Sequence, residues 1–198
     1  MSQAPRSFEE KAQELKKVLA ARNGGDGLQT FRVPFFGDVH TVGAERVTNS
    51  RGEEVTTAVA VLLMTWVIQG SIKAEDSTPT WIGFKECRGA GPLMGYFQEN
   101  TAKTLERSFE GQVDRLKAAA LTLGAEVVHG DPGFDLSLVF RALPGLPVLL
   151  RFSDREDGMP ANCQILFPES AQDRLDIRCL GVIGTWLTGG LISRAGRV

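Results

Sequence analysis

The sequence predicts an α+β fold: a single domain with a mainly antiparallel sheet packed against helices. Three features point to it. Apolar residues recur at helical spacing in several separate segments. Between about 126 and 167 the pattern changes to short strand-like segments in succession, separated by turns rich in glycine and proline, which is how an antiparallel meander reads. The chain has 198 residues, 42% of them hydrophobic. A domain of that size buries roughly 70% of its unfolded surface and holds a core without staples. The domain is read as 1–198, with an N-terminal helix over 7–22 and a core over 28–192.

Ser7-Phe8-Glu9-Glu10 has the form of a capping box, in which Ser7 accepts from a first-turn amide and Glu10 reaches back. Phe8, Ala12, Leu15 and Leu19 then form one stripe. Asn23-Gly24-Gly25 ends this helix, because glycine takes the left-handed conformation at low cost. Thr30–Phe36 and Asp38–Val42 read as strands around a turn at Gly37. Phe31, Val33 and Phe35 share one face, and Val39 and Thr41 are expected to continue it. Pro34 cannot donate to a ladder, so the first strand belongs at an edge or a bulge. The polar stretch Ala44–Glu54 reads as a loop with a turn at Arg51-Gly52.

Thr56 or Thr57 can cap a helix over Ala58–Gln69, which is apolar almost all round and so reads as a central core element. Gly70-Ser71 closes it, and Ile72–Thr80 is a polar loop with an extended entry at Pro79. Trp81–Glu86 follows as a short apolar strand, expected to be buried, then a glycine-rich loop over Cys87–Pro92. Pro92 suits a first helical position. Leu93, Phe97, Leu105 and Phe109 predict one helix to about Phe109, and Gly111 interrupts it. Val113, Leu116, Ala120 and Leu123 mark the next helix, stopped by Gly124. Strands are predicted at Glu126–Val128, Phe134–Phe140, Val148–Phe152 and Gln164–Phe167. A last helix runs from Asp176 to Thr188, with Ile177, Leu180, Ile183 and Leu187 on one side. Gly181, Thr185 and Gly189 line another side, where small residues permit close packing within the monomer or a homodimer contact.

Composition narrows the function. A net charge of -2, with both signs spread along the chain, lacks the basic face of a nucleic-acid binder. Three cysteines without a Cys-x-x-Cys spacing argue against a disulfide framework or a cysteine-rich metal site, and imply a reducing cytoplasm. The N-terminus has no apolar segment of a signal peptide. The greasiest runs, Ala58–Ile68 and Leu180–Ile192, fall short of the ~20 residues a membrane span needs.

The candidate chemistry gathers around Trp81–Gly91. Gly89-Ala90-Gly91-Pro92-Leu93-Met94-Gly95 resembles a phosphate loop, and Arg88 adds a positive charge. However, two helices separate it from the next strand, and Pro92 lacks an amide, so a structural tight turn is the plainer reading. Cys87, beside Arg88 and near a helix start, is a candidate nucleophile if its pKa is lowered there. Glu86 is a candidate general base if the apolar surroundings of Trp81 and Phe84 raise its pKa. The acidic loop Asp154-Arg155-Glu156-Asp157-Gly158 reads as a hairpin tip rather than a cation site. His40 and His129, on or beside strands, read as surface or hairpin histidines.

Trp81-Ile82-Gly83-Phe84-Lys85-Glu86, with Gly89 and Tyr96-Phe97 following, is similar to the middle of an uncharacterised family, a domain of unknown function numbered 3786 in that series. The resemblance continues through Phe134-Asp135, Leu143-Pro144, Pro147-Val148-Leu149-Leu150, Asp154, Pro160, Ile165-Leu166-Phe167 and Asp176-Ile177-x-x-Leu180-Gly181. Phe35-Phe36-Gly37 matches the family's early hairpin, so the resemblance spans about residues 30–190. It implies a stand-alone accessory module in an anaerobe's cytoplasm. Some relatives resemble fusions to an iron–sulfur segment, and some belong with corrinoid or one-carbon metabolism. This chain's cysteines cannot supply a four-cysteine cluster motif.

The leading expectation is a non-catalytic module that binds a small ligand, a cofactor or a protein partner, with the cofactor left open. Its site is placed at Trp81, Glu86, Arg88, Gly89 and Gly91, with Asp135 and Asp154 as outlying candidates. The alternatives are an enzyme using Cys87 or Glu86, and a dimerising scaffold built on the Gly181/Thr185/Gly189 face.

Overall fold

A computed structural model describes residues 7–22, 29–69, 79–156 and 158–196. The expected helix stop at Asn23-Gly24-Gly25, the closure at Gly70-Ser71, residues 72–78 of the predicted loop and Asp157 of the acidic turn lie outside the described residues.

Helix α1 (Phe8–Arg22) starts on the predicted capping box. The Ser7 amide donates to Glu10 Oε2 and the Glu10 amide donates to Ser7 Oγ, both at 3.2 Å. Strands β1 (Phe31–Phe35), β2 (Asp38–Val42) and β3 (Val47–Thr48) form a small antiparallel sheet in that order, with Pro34 on the edge strand as predicted. The β1–β2 turn is two residues long, and Phe36 and Gly37 both have positive φ, 47° and 80°. That is the turn type whose twist suits a tight hairpin. It sets Val33 opposite His40 and Phe31 opposite Val42. The buried face of β2 is therefore His40 and Val42, not Val39 and Thr41, and His40 is not a surface residue. The expected face was one residue out because residues flanking a two-residue turn pair directly across it. In the loop that follows β3, Asn49 Oδ1 accepts from the amides of Arg51 and Glu53, both at 3.0 Å.

Helix α2 (Thr57–Gln69) is capped by Thr56 Oγ1, which accepts from the Val59 amide at 3.5 Å. Its buried residues run unbroken from Val61 to Trp66, and α1 packs along it. Strand β4 (Trp81–Gly83) leads through two 3₁₀ turns, Phe84–Glu86 and Gly91–Leu93, into α3 (Met94–Asn100). The single helix expected to Phe109 is broken: α4 (Ala102–Phe109) begins after Thr101, whose φ and ψ are -128° and -91°. Thr101 is fully buried and its hydroxyl donates to the Phe97 carbonyl at 2.6 Å, a side-chain bond that competes with the helical ladder. Helix α5 (Val113–Thr122) lies between Gly111 and Gly124, both left-handed.

The meander follows as β5 (Glu126–Val128), β6 (Leu136–Leu143), β7 (Leu146–Ser153) and β8 (Asn162–Pro168). β4 joins its far edge, giving a five-stranded antiparallel sheet in the order β4-β8-β7-β6-β5. The 30s hairpin thus belongs to a separate sheet rather than to the meander, and the Phe36 amide reaches across to the Ala142 carbonyl at 2.9 Å. Helix α6 (Ile177–Ala195) is capped by Asp176, which accepts from the Cys179 amide at 3.0 Å. It continues past Thr188 to Ala195, because Leu191 and Ala195 still bury apolar surface.

One face of the large sheet supplies the core: Phe140, Leu150, Phe152, Ile165 and Phe167 join α2, α4 and α6 in one cluster. On the opposite face, the register aligns Val139, Leu149, Leu166 and Gly83 in one row across four strands. None of these belongs to the core cluster. Trp81, which faces the same way one row over, is half-buried on the edge strand and not in the core as expected. Among the described residues no helix is long and apolar enough to cross a membrane.

Candidate ligand-binding cleft

The segment around Trp81–Gly91 is built as a tight connector. The Gly83 amide donates to Glu86 Oε2 at 2.7 Å, which closes the first 3₁₀ turn. Glu86 is exposed, and Phe84 turns away into the core to stack on Phe97 at 3.8 Å with the rings 4° from parallel. The apolar surroundings expected around Glu86 are therefore missing. Cys87 is buried and its thiol donates to the Gly83 carbonyl at 3.6 Å. Burial, helped by the charge of Glu86, pushes that thiol up to about 11. This reverses the expected activation, because desolvation of the thiolate outweighs an Arg88 that points elsewhere.

Arg88 is exposed, donating to Asp173 Oδ1 at 2.7 Å, while its amide donates to Gln172 Oε1 at 2.6 Å. Gly89 has a φ of 78°, which a tight turn requires. Gly91 opens a single 3₁₀ turn with Pro92, not a long helix, and open space surrounds it. An open cleft of about 480 Å³ beside this connector is lined by Glu86, Arg88, Gln172 and Asp173. Trp81, Gly89 and Gly91 do not line it.

Asp135 and Asp154 lie at the other end of β8, where Ser153 pairs with Asn162, whereas Trp81 pairs with Pro168. Six residues of strand separate those ends, about 20 Å. Asp135 Oδ2 accepts from the Asp154 amide at 2.7 Å, and Asp154 Oδ1 accepts from Gly111 and Arg155 amides at 2.7 and 2.8 Å. Both carboxylates are thus occupied in holding loops together. The sequence-predicted residues do not converge on one site.

A larger cleft, of about 910 Å³, lies between the β1–β2 turn, the Asn49 loop and the C-terminal half of α6. Phe36, Asp38, His40, Arg51, Glu54, Trp186 and Arg194 line it. Phe36 is the one residue other than glycine with positive φ among the described residues. Its ring stacks on Trp186 at 4.7 Å and 11°, and Phe35 meets Trp186 at 4.9 Å. His40 is 3% exposed, with Nδ1 3.0 Å from the Asp38 carbonyl and Nε2 3.9 Å from Asp38 Oδ2. The arrangement presents a rigid aromatic wall, one imidazole and two guanidinium groups to one opening. Among the described residues no three His, Cys, Asp or Glu side chains are grouped to hold a metal ion.

Sequence reasoning missed this cleft, although one signal was present. Two-residue hairpin turns take Asn, Asp or Gly at positive φ, and Phe36-Gly37 puts a bulky ring there instead.

The model of the family described as Domain of unknown function (DUF3786) matches residues 8–189, and the chain belongs to that family. No curated protein and no solved structure matches the chain.

Proposed function

We propose that this protein is a non-catalytic accessory module that binds a small ligand in the cleft between the β1–β2 turn and α6. The conformation of Phe36 carries the reading. A bulky residue in the left-handed region costs about 1–3 kcal/mol, and such strain clusters where a site must be pre-shaped. Burial of the ring against Trp186 offsets that cost and leaves a fixed aromatic wall along the opening. A cleft that pairs apolar rings with a few convergent polar groups is the usual form of a small-molecule site.

Among the described residues, neither Cys87 nor Glu86 is placed as the enzymatic alternative would need. All three thiols are buried and pushed above their ordinary value, chiefly by desolvation. Glu86 is engaged in its own turn. Because some relatives in the family the sequence resembles belong with corrinoid or one-carbon metabolism, corrinoids are the first ligands to try. Absorbance of the purified protein and a thermal-shift panel of corrinoids, flavins, nucleotides and metals test the reading. A rise in Tm with one class, lost in Trp186→Ala, is the result it requires. No shift with any class overturns a small-ligand role and leaves a protein partner as the alternative.

A further inference from the structure

Taking that cleft as the ligand site, we propose that its ligand is a flat ring compound bearing an anionic group, and that Arg194 receives the anion. The inference rests on how the charges in the cleft are already disposed. Arg51 lies 3.0 Å from Glu53 and so has a counterpart at hand, and Asp38 lies 3.9 Å from His40 Nε2. Glu54 is exposed at the rim, where its backbone bridges to Thr48. Arg194 is different. It is half-buried in the last turn of α6, and it pairs with no carboxylate of the described residues. The one hydrogen bond its guanidinium makes among the described residues is from Nη1 to the Gly190 carbonyl at 3.2 Å.

A guanidinium carries five donors in a planar fork, and a partly desolvated one without a counterion is costly. A carboxylate or phosphate satisfies that fork with two parallel hydrogen bonds, which a neutral group cannot do. The helix C-terminus gives Arg194 only a weak, shared compensation. Trp186, on the same helix, lines the same cleft; it is half-buried, with Phe36 stacked on one side of its ring. A molecule that carries both a ring and an anion can use Trp186 and Arg194 together.

Isothermal titration of the full chain with matched pairs tests this: riboflavin against riboflavin 5′-phosphate, adenosine against adenosine 5′-monophosphate, and nicotinamide against nicotinate. The charged member of at least one pair should bind ten-fold or more tightly than its neutral partner. Arg194→Gln should abolish that preference and Arg194→Lys should keep most of it, with unchanged unfolding midpoints for both. Equal binding of charged and neutral members overturns the anion assignment and leaves the cleft as a ligand site. A preference that survives Arg194→Gln also overturns it. If no member of any pair binds, the anion assignment falls, and the small-ligand reading is decided by the thermal-shift panel. The wild-type comparison stands even where a variant does not fold.

Discussion

Gly184 of α6 lies under the ring of Phe97 with no room for a methyl group between them. A Cβ at 184 would stand 2.5 Å from Phe97 Cε2 and 2.8 Å from Cζ. Phe97 in turn stacks on Phe84, so the connector after β4, helix α3 and helix α6 share one packing point. Gly184→Ala should therefore destabilise by about 1–3 kcal/mol through overpacking, less whatever the helix gains from alanine. Phe97→Leu in the same chain should recover part of the loss. Gly189→Ala, which meets open space in the same helix, should be neutral or stabilising by up to about 1 kcal/mol. Urea midpoints compare them, and equal effects at 184 and 189 would mean that Phe97 does not sit on the helix.

Cys87 should be a slow nucleophile. Its thiol, raised to about 11 by burial, is almost wholly protonated at pH 8, so alkylation should be slower than for free cysteine and should climb only above pH 10. The same shift has a sign for stability. The folded state holds the proton more tightly than the unfolded chain, whose thiol titrates near 9.0. The contribution is complete below pH 9 and is lost as pH rises through about 11. Cys87→Ala should lessen that alkaline decline, leaving the part due to Cys163 and Cys179, and thermal melts between pH 8 and 11.5 measure the difference.

Trp81→Ala should cost about 1–2 kcal/mol, as suits a half-buried ring on an edge strand, and not the ~3–5 kcal/mol of a core tryptophan. Chemical denaturation gives the number. A loss above about 3 kcal/mol would place the indole in the core after all.

What could be read from the sequence was local. The Ser7 box, the Gly37 turn and the Gly124 stop each depend on residues within a short stretch of chain, and all formed where expected. The meander was legible for the same reason, since short turns such as Pro144-Gly145 leave neighbouring strands little choice of partner. Long-range assembly was not legible. Nothing in Trp81-Ile82-Gly83 says that it pairs with β8, 83 to 87 residues on at Leu166–Pro168, with its tryptophan on the face away from the core cluster. Nothing in Thr101 alone says that it will be fully buried and break a helix. The cleft was hidden for a related reason. Phe36 and Trp186 stand 150 positions apart and are brought together only by the tertiary fold, in which Phe36 also reaches Ala142 of β6. Unusual residue choices drew attention to Gly89 and Gly91, whereas the stored strain sits at Phe36.

Fluorine NMR of protein labelled with 5-fluorotryptophan tests the site most directly, because each of the three tryptophans marks a different region: Trp66 the core helix, Trp81 the predicted connector, and Trp186 the cleft. Titration with a ligand that raises Tm should shift the Trp186 signal, leave Trp66 in place and barely move Trp81. A shift confined to Trp81, with Trp186 unmoved at saturation, would put the ligand on the other side of the molecule and contradict the assignment.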